Sequence, residues 1–454
     1  MKKYAIVLAA GKGTRMRSER PKVLHTVQGK PMITRVLETI RQAQIDNQYV
    51  VVGHGADQVK RVLDSTVKVV LQEQQLGTGH AVREALGTVK QDVADYDNTT
   101  VLVTCGDTPL LRAESLSEMM EQHITQQNVV TVMTTLVDNP TGYGRIIHDG
   151  TRIQRIVEEK DANPDEKNIQ EINVGTYCFD LSFLIEKIDA LDTNNAQGEF
   201  YLTDLLKMAY NDGKATAAYL LKDAQESLGV NNRVQLAQAE KIFRQRVNVK
   251  WMMNGVTMLD PSSVYIEDDV DLEADVFIES NVYLLGNTYI KRGTVVESGS
   301  RIENSTIGEN VVIKQSVIKD SVVGANTSIG PFAQLRPGNT IGENVKIGNF
   351  VEIKNSNIAN ESKVSHHTYI GDTDMGARVN VGCGTITCNY DGKNKYRTVI
   401  GDDVFVGSNS NLIAPIVIGD KVVIGAGSTL SKDVVHNALA VTRPPLVIRE
   451  NWKK

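Results

Sequence analysis

At 454 residues, with 41% hydrophobic and only 5% aromatic content, the chain is too long for one ordinary core, and two or three domains are expected. Its net charge of -6 arises from 49 basic and 55 acidic residues intermixed along the sequence, which removes any electrostatic argument for a nucleic-acid partner. No apolar run approaches the roughly 20 residues of a membrane helix, and the scattered Cys105, Cys178, Cys383 and Cys388 predict reduced thiols in the cytoplasm.

The first ten residues form a short apolar run that leads straight into Gly11-Lys-Gly13-Thr-Arg15, which predicts a buried first strand rather than a signal peptide. Strands and helices then alternate: strand 4–9, helix 32–44, strand 49–52, helix 56–64, strand 67–71, helix 79–87, strand 100–104. This rhythm implies a mostly parallel sheet covered by helices, with ligands bound beyond the carboxyl ends of the strands. The segment 231–254 lacks Gly and Pro and is rich in Gln, Arg, Ala and Glu, predicting one long polar helix joining two halves.

The turn after the first strand is neither a Walker A loop nor a Rossmann fingerprint. Its glycines, Gly11 and Gly13, let backbone N–H groups approach phosphates, while Arg15 and Lys22 supply cations for a triphosphate and a leaving pyrophosphate. The alternative is a tight turn with two surface cations. Asp107, in Cys105-Gly106-Asp107-Thr108-Pro109, follows an apolar strand and is placed to hold Mg²⁺ against phosphate oxygens. A helix N-cap or Asx turn is the competing reading. Leu76-Gly77-Thr78-Gly79-His80 opens a helix closely enough for a base or sugar, with His80 structural rather than catalytic.

From Ile266 to Leu430 an aliphatic residue returns about every six positions, often followed by Gly, as in Ile341-Gly342, Ile347-Gly348 and Ile424-Gly425. Six matches neither a helical nor a simple strand period. It matches a parallel β-helix with three flat sides per coil. The beat breaks between Val381 and Ile400, where the polar, basic stretch 385–397 predicts a loop thrown out from one coil. Just upstream lie His366 and His367, either of which could act as the base that deprotonates an attacking amine. Two solvated surface histidines are the bland alternative. The tail from Arg443 onward leaves the repeat.

Gly11-x-Gly13-Thr-Arg15-Met with Pro21-Lys22 resembles the sugar-nucleotide pyrophosphorylases. The match sharpens with Gln72…Gly77-Thr78, Thr141-Gly-Tyr-Gly144, Val157-Glu158-x-Lys160, Glu171-Ile-Asn173-x-Gly175 and Gly229-Val-Asn231-Asn232-Arg233. Together with the repeat half, the whole chain resembles the bacterial family of bifunctional N-acetylglucosamine-1-phosphate uridylyltransferases and glucosamine-1-phosphate N-acetyltransferases.

The resemblance implies an α/β nucleotidyltransferase domain with a Rossmann-like mixed sheet over 1–229. A linker helix over 230–250 and a left-handed parallel β-helix of hexapeptide repeats over 251–454 follow. It places Leu8, Ala9, Ala10, Gly11, Lys22, Gln72, Gly77, Thr78, Cys105, Gly106 and Asp107 around a uridine nucleotide. Gly144, Glu158, Asn173 and Asn231 would hold the N-acetylglucosamine phosphate, with Mg²⁺ shared by Asp107 and Asn231. Arg15 and Lys22 would neutralise the reacting phosphates. In the repeat half it selects His366 as the base, with His367 turned to the other face. Arg336, Lys354, Tyr369 and Asn380 would surround glucosamine 1-phosphate, and Cys383, Asn389, Tyr390, Ser408, Ala426 and Arg443 would contact acetyl-CoA. Cys105 and Cys383 depart from the family's usual residues, so backbone contact is expected there. UTP and acetyl-CoA are the implied co-substrates, and a cytoplasmic homotrimer with composite acetyl sites is the implied assembly, with no membrane or nucleic-acid partner. The remaining alternative is a nucleotidyltransferase whose β-helix only regulates or oligomerises. His366, Lys354, Tyr369 and the Asn389-Tyr390 loop argue against it.

Overall fold

The computed structural model describes residues 2–150 and 152–452, and the chain divides into two compact units, Met1–Phe243 and Arg244–Lys454. In the first unit the main strands run, in spatial order, Thr216–Leu220, Val130–Leu136, Glu171–Asp180, Thr99–Cys105, Lys2–Ala9, Asn47–Val52 and Lys68–Leu71. Glu171–Asp180 is antiparallel to both of its neighbours, and the other six share one direction. The sheet is therefore mixed. Alternate side chains enter two separate cores, because strand residues point to opposite faces in turn. Ile6, Val51 and Val103 pack with the helix Thr78–Asp92, while Val7, Val50 and Leu102 pack with helices Met32–Gln42 and Ala113–Thr125.

Two helices differ in length from the sequence reading. The one expected over 56–64 ends at Lys60, because the Asp64 carboxylate accepts from the Thr66 N–H and hydroxyl and holds a turn. The one expected over 79–87 runs on to Asp92, because Leu86 and Val89 are buried on its sheet-facing side and its Gly87 points into open space. The long helix is Arg233–Met253. Its first turns pack within the first unit, with Glu240 accepting from the Gln28 N–H and Phe243 lying 3.9 Å under the Arg35 guanidinium. In the second unit, its Asn248 amide donates to the Pro261 and Val264 carbonyls, and Trp251 joins the core. Among the described residues no helix is long and apolar enough to cross a membrane.

The second unit is a left-handed parallel β-helix. Each inward aliphatic stacks on its counterpart one coil away, as in Ile266 on Leu284, Ile329 on Ile347 and Ile400 on Ile418. The periodic residues from Ile266 to Leu430 are all buried. Three faces are present, two of them joined where Lys346–Lys354 and Lys363–Gly371 run on through a corner. Corners turn on left-handed residues, chiefly Asn and Asp, such as Asn281, Asn310, Asn326, Asp403 and Asn409. Short polar side chains tolerate that conformation best. The glycines after the aliphatics answer a different need. A Cβ on Gly348 would lie 1.9 Å from the Ser365 carbonyl oxygen, and one on Gly407 would lie 2.4 Å from the Ala426 nitrogen. Backbone rests on backbone there, with no room for a side chain. One coil, between Met375 and Ile400, is longer than the rest, and its extra residues are the predicted loop.

Candidate active sites

A cavity of 630 Å³ opens at the carboxyl ends of the central strands, lined by Leu8, Ala9, Ala10, Gly11, Lys22, Gln72, Gly77, Thr78, Cys105 and Asp107, with Glu199 and Gln75 beside them. Strand Lys2–Ala9 delivers the first group and the adjacent Thr99–Cys105 delivers Cys105 and Asp107, the two being locked by the Gly106 N–H donating to the Leu8 carbonyl at 2.9 Å. Gly13 has φ 59°, and a Cβ there would meet that of Lys22 at 2.7 Å, so this turn requires glycine. The Val230 N–H donates to the Asp107 carbonyl at 2.9 Å, bringing Asn231 to the same place.

Charges converge there. Arg15 and Lys22 each donate to Asn231 Oδ1 at 3.0 Å, and Lys22 also pairs with the Asp107 carboxylate. The oxygens of Asp107 and Asn231 thus face one cation. Two hard oxygen donors leaving room for phosphate and water are what Mg²⁺ accepts, so these residues fit the ion. No group of three or more His, Cys, Asp or Glu gathers as a metal cage among the described residues.

A second group of polar residues lies nearby, with Gly175 beside the Cys105 thiol. The antiparallel strand Glu171–Asp180 shifts register between Asn173 and Tyr177, a bulge of the kind that re-aims a side chain. Asn173 then donates from its amide to the Tyr177 hydroxyl at 2.7 Å, accepts from the Gly175 N–H, and takes the Gly144 carbonyl with its own N–H at 2.9 Å. Glu158 lies against Gly144. Burial, with Asp161, Asp204 and Glu199 adding to it against a hydrogen bond from Thr203, raises the Glu158 carboxyl above its usual pKa. Burial, reinforced by Asp107, pushes the Cys105 thiol up to about 12. Cys105 is a neutral thiol facing the Gly175 carbonyl, which gives it no nucleophilic character.

In the second unit the predicted residues fall into two arrays. One runs along an edge of the prism. His366 pairs in register with Asn349, the Gly384 N–H donates back to the corner carbonyls of His366 and His367, the Asn409 N–H to Cys383, and the Gly427 N–H to Ser408. His366, Cys383, Ser408 and Ala426 therefore occupy successive coils at one corner. The Arg443 guanidinium reaches the same edge, beside Gly425. His366 Nδ1 lies 2.8 Å from Asn349 Oδ1. The carbonyl oxygen accepts, so Nδ1 carries the proton and Nε2 keeps its lone pair. His367 does not turn to the other face. Its left-handed φ of 41° at the corner breaks strand alternation, and its exposed ring stacks on Phe350 with centroids 4.9 Å apart.

The other array is on the face after the corner. Arg336 pairs with Glu352 at 2.9 Å and Lys354 with Asp372 at 3.3 Å, and Tyr369 is in register with Glu352. Asp372 also accepts from Asn355 and Asn389, and the Asn389 amide reaches the Tyr369 hydroxyl at 3.4 Å. Burial alone would raise the Asp372 carboxyl, but these hydrogen bonds outweigh it and hold its pKa below the usual range. Asn380 lies elsewhere, on the face before the corner, paired with Lys363 and Phe405. Among the described residues no hydrogen bond or ion pair joins it to Arg336, Lys354 or Tyr369. The long coil's loop closes on itself through a Tyr390–Lys395 bridge and the Tyr390 hydroxyl donating to the Gly392 carbonyl at 2.6 Å.

Comparison with known proteins decides between the one-enzyme and two-enzyme readings. Residues 4–252 match the nucleotidyl transferase family, and 320–355 and 397–432 match the bacterial transferase hexapeptide repeat. The bifunctional protein GlmU of Staphylococcus epidermidis is 48% identical over 456 residues, covering 100% of both chains. That of Clostridioides difficile is 48% identical over 449 residues, with 99% and 96% covered, and that of Desulfitobacterium hafniense is 45% identical over 448 residues, with 99% and 98% covered. The chain belongs to the GlmU family. Like other GlmU proteins it is an enzyme with two transferase halves, a nucleotidyltransferase and an acetyltransferase. Two residues around Lys354 escaped the sequence reading. Asp372 stands one coil below Lys354, a spacing that a register-aware search for opposite charges would have caught. Lys395 comes back from the loop to Lys354, and the neighbouring ammonium lowers its pKa.

Proposed function

We propose that the two arrays are the two active sites of one biosynthetic enzyme. The chain makes UDP-N-acetylglucosamine in two transfers: acetyl from acetyl-CoA to glucosamine 1-phosphate, then uridylyl from UTP to the resulting N-acetylglucosamine 1-phosphate. The observation that carries the reading is that each half gathers the groups its own reaction needs.

In the acetyl site, the sugar's 2-amino nitrogen attacks the thioester carbonyl, the N–C bond forms, and the C–S bond breaks to release coenzyme A. His366 takes the amine's proton on Nε2, the nitrogen left free by Asn349. Arg336, Lys354 and Lys395 bind the sugar phosphate as a cationic cluster. Tyr369 lines the same face, and acetyl-CoA follows the edge of Cys383, Ser408, Ala426 and Arg443, with Asn389 and Tyr390 at its side. Asn380 lies on the other face, and we assign it to a site shared with a neighbouring copy. Such sharing calls for a homotrimer with composite sites, for whose docking the exposed Leu446, Val447 and Ile448 of the tail offer apolar surface.

In the uridylyl site, an oxygen of the sugar 1-phosphate attacks the α-phosphorus of UTP and pyrophosphate leaves. Arg15 and Lys22 stabilise charge on the phosphates, and Gly144, Glu158 and Asn173 hold the acetamido sugar. Asp107 and Asn231 would hold Mg²⁺, which would supply further charge neutralisation. The substrates are cytoplasmic metabolites by their chemistry, and the enzyme acts in that compartment.

A pair of variants tests this. His366→Ala loses acetyl transfer by roughly 10²–10⁴-fold and keeps uridylyl transfer, and Asp107→Ala does the reverse. Loss of both activities from either change, in protein that remains folded, would sink the two-site assignment.

A further inference from the structure

Gln72 lies in the cavity wall and is 3% exposed. Its amide nitrogen is used twice, donating to the Gly77 carbonyl at 3.2 Å and to His80 Nδ1 at 2.9 Å. On the far side of the imidazole, Nε2 faces the Glu84 carboxylate at 3.3 Å. The Gly77 carbonyl fixes the Gln72 nitrogen as a donor, so Nδ1 accepts from it and the ring proton sits on Nε2, toward the carboxylate. The ring is also held against Phe200, centroids 6.3 Å apart. Two acceptors thus fix the Gln72 NH2 group, and its Oε1 is left over. Among the described residues neither Gln72 Oε1 nor the Gly77 N–H, at the start of the helix Thr78–Asp92, takes a partner.

The wall therefore offers one acceptor and one donor close in sequence and in the same cavity. A uracil edge carries the complement, an imide N–H beside a carbonyl oxygen. A cytosine edge carries a ring nitrogen lone pair beside an amino group, which sets acceptor against acceptor and donor against donor. Rotating the Gln72 amide would suit cytosine, but would press Oε1 onto the Gly77 carbonyl and the His80 lone pair together. We propose that His80, held by Glu84, is a positioning residue that locks the Gln72 amide with its oxygen toward the base and so makes the site choose uridine over cytidine nucleotides. The inference rests on this cavity being the nucleotide site.

The test is the ratio of kcat/KM for UTP and CTP with N-acetylglucosamine 1-phosphate and Mg²⁺. That ratio is independent of how much of a preparation is active, so a partly folded variant still answers. His80→Leu should lower it by roughly tenfold or more, since sites built on buried hydrogen bonds discriminate strongly. His80→Asn, whose amide oxygen can accept from Gln72, should hold the ratio within about threefold of the parent. Gln72→Ala should lower it as His80→Leu does. If Gln72→Ala lowers the ratio but His80→Leu leaves it, or if Asn fails as badly as Leu, the role assigned to His80 is wrong. If neither Gln72→Ala nor His80→Leu moves it, the nucleobase reading of this wall falls as well.

Discussion

Gly11 and Gly13 stand in one turn, yet the fold asks different things of them. Gly13 has a left-handed φ and a Cβ there would press on the Lys22 side chain, whereas Gly11 has neither a left-handed φ nor a neighbour within 4 Å of where its Cβ would be. Gly11 lines the cavity of the first unit, the one proposed to take the nucleotide. Gly11→Ala should accordingly fold with stability changed by less than about 0.5 kcal/mol. Its KM for UTP should rise by about tenfold, because the methyl group occupies the path by which backbone N–H groups approach phosphate. Thermal unfolding and initial-rate kinetics on one preparation decide it, and an unaltered KM in a folded variant would remove the reason given for this glycine. At this scale the motifs singled out Arg15, Lys22 and Asp107, while the residues alone left His366 and His367 equal until the family resemblance chose between them. The sequence was silent on pairing. Nothing local to Lys22 shows that its ammonium sits between Asp107 and Asn231, and nothing local to Asn349 shows that it orients His366, because both depend on strand register.

The repeat was legible because one physical rule writes it: each coil must bury an aliphatic on each face, and each buried residue must stack on the last. The same rule, read only for side chains, missed what the backbone does. Glycines after the aliphatics mark places where successive coils touch main chain to main chain, and corners hold left-handed residues that strand alternation does not foresee. Phe332, Phe350 and His367 occupy such corners and form a stacked column, with Phe332 and Phe350 centroids 5.5 Å apart and Phe350 and His367 4.9 Å apart. Ring stacking there offsets the conformational cost to bulky residues. The glycine rule can be tested at Gly348, where a Cβ would fall 1.9 Å from the Ser365 oxygen and three Ser365 backbone atoms lie within 3 Å. No flexible side chain can yield, so Gly348→Ala should destabilise the β-helix by roughly 3 kcal/mol, at the upper end of overpacking costs. Urea unfolding of the repeat half reads this directly, and a loss below about 1 kcal/mol would mean that the coils slide apart more easily than their register suggests.

Each reaction has a core of its own. The buried residues that support the nucleotide cavity belong to the first unit, and the aliphatic stack that supports the acetyl edge belongs to the second. The product of the first transfer, N-acetylglucosamine 1-phosphate, is a small, strongly hydrated anion that nothing in either site must hold once acetyl transfer is done. With the two proposed sites in separate units, the expected route between the steps is through dissolved intermediate. Mixing His366→Ala with Asp107→Ala should then restore UDP-N-acetylglucosamine formation from glucosamine 1-phosphate, acetyl-CoA and UTP, although neither variant makes it alone. The mixture should show a lag that shortens as total enzyme rises, because the intermediate must accumulate towards the KM of the second site before uridylyl transfer reaches its steady rate. Added N-acetylglucosamine 1-phosphate should abolish the lag. A mixture that stays silent, while each variant still performs its own half-reaction, would mean that the intermediate passes between the two sites of one assembly without reaching solution.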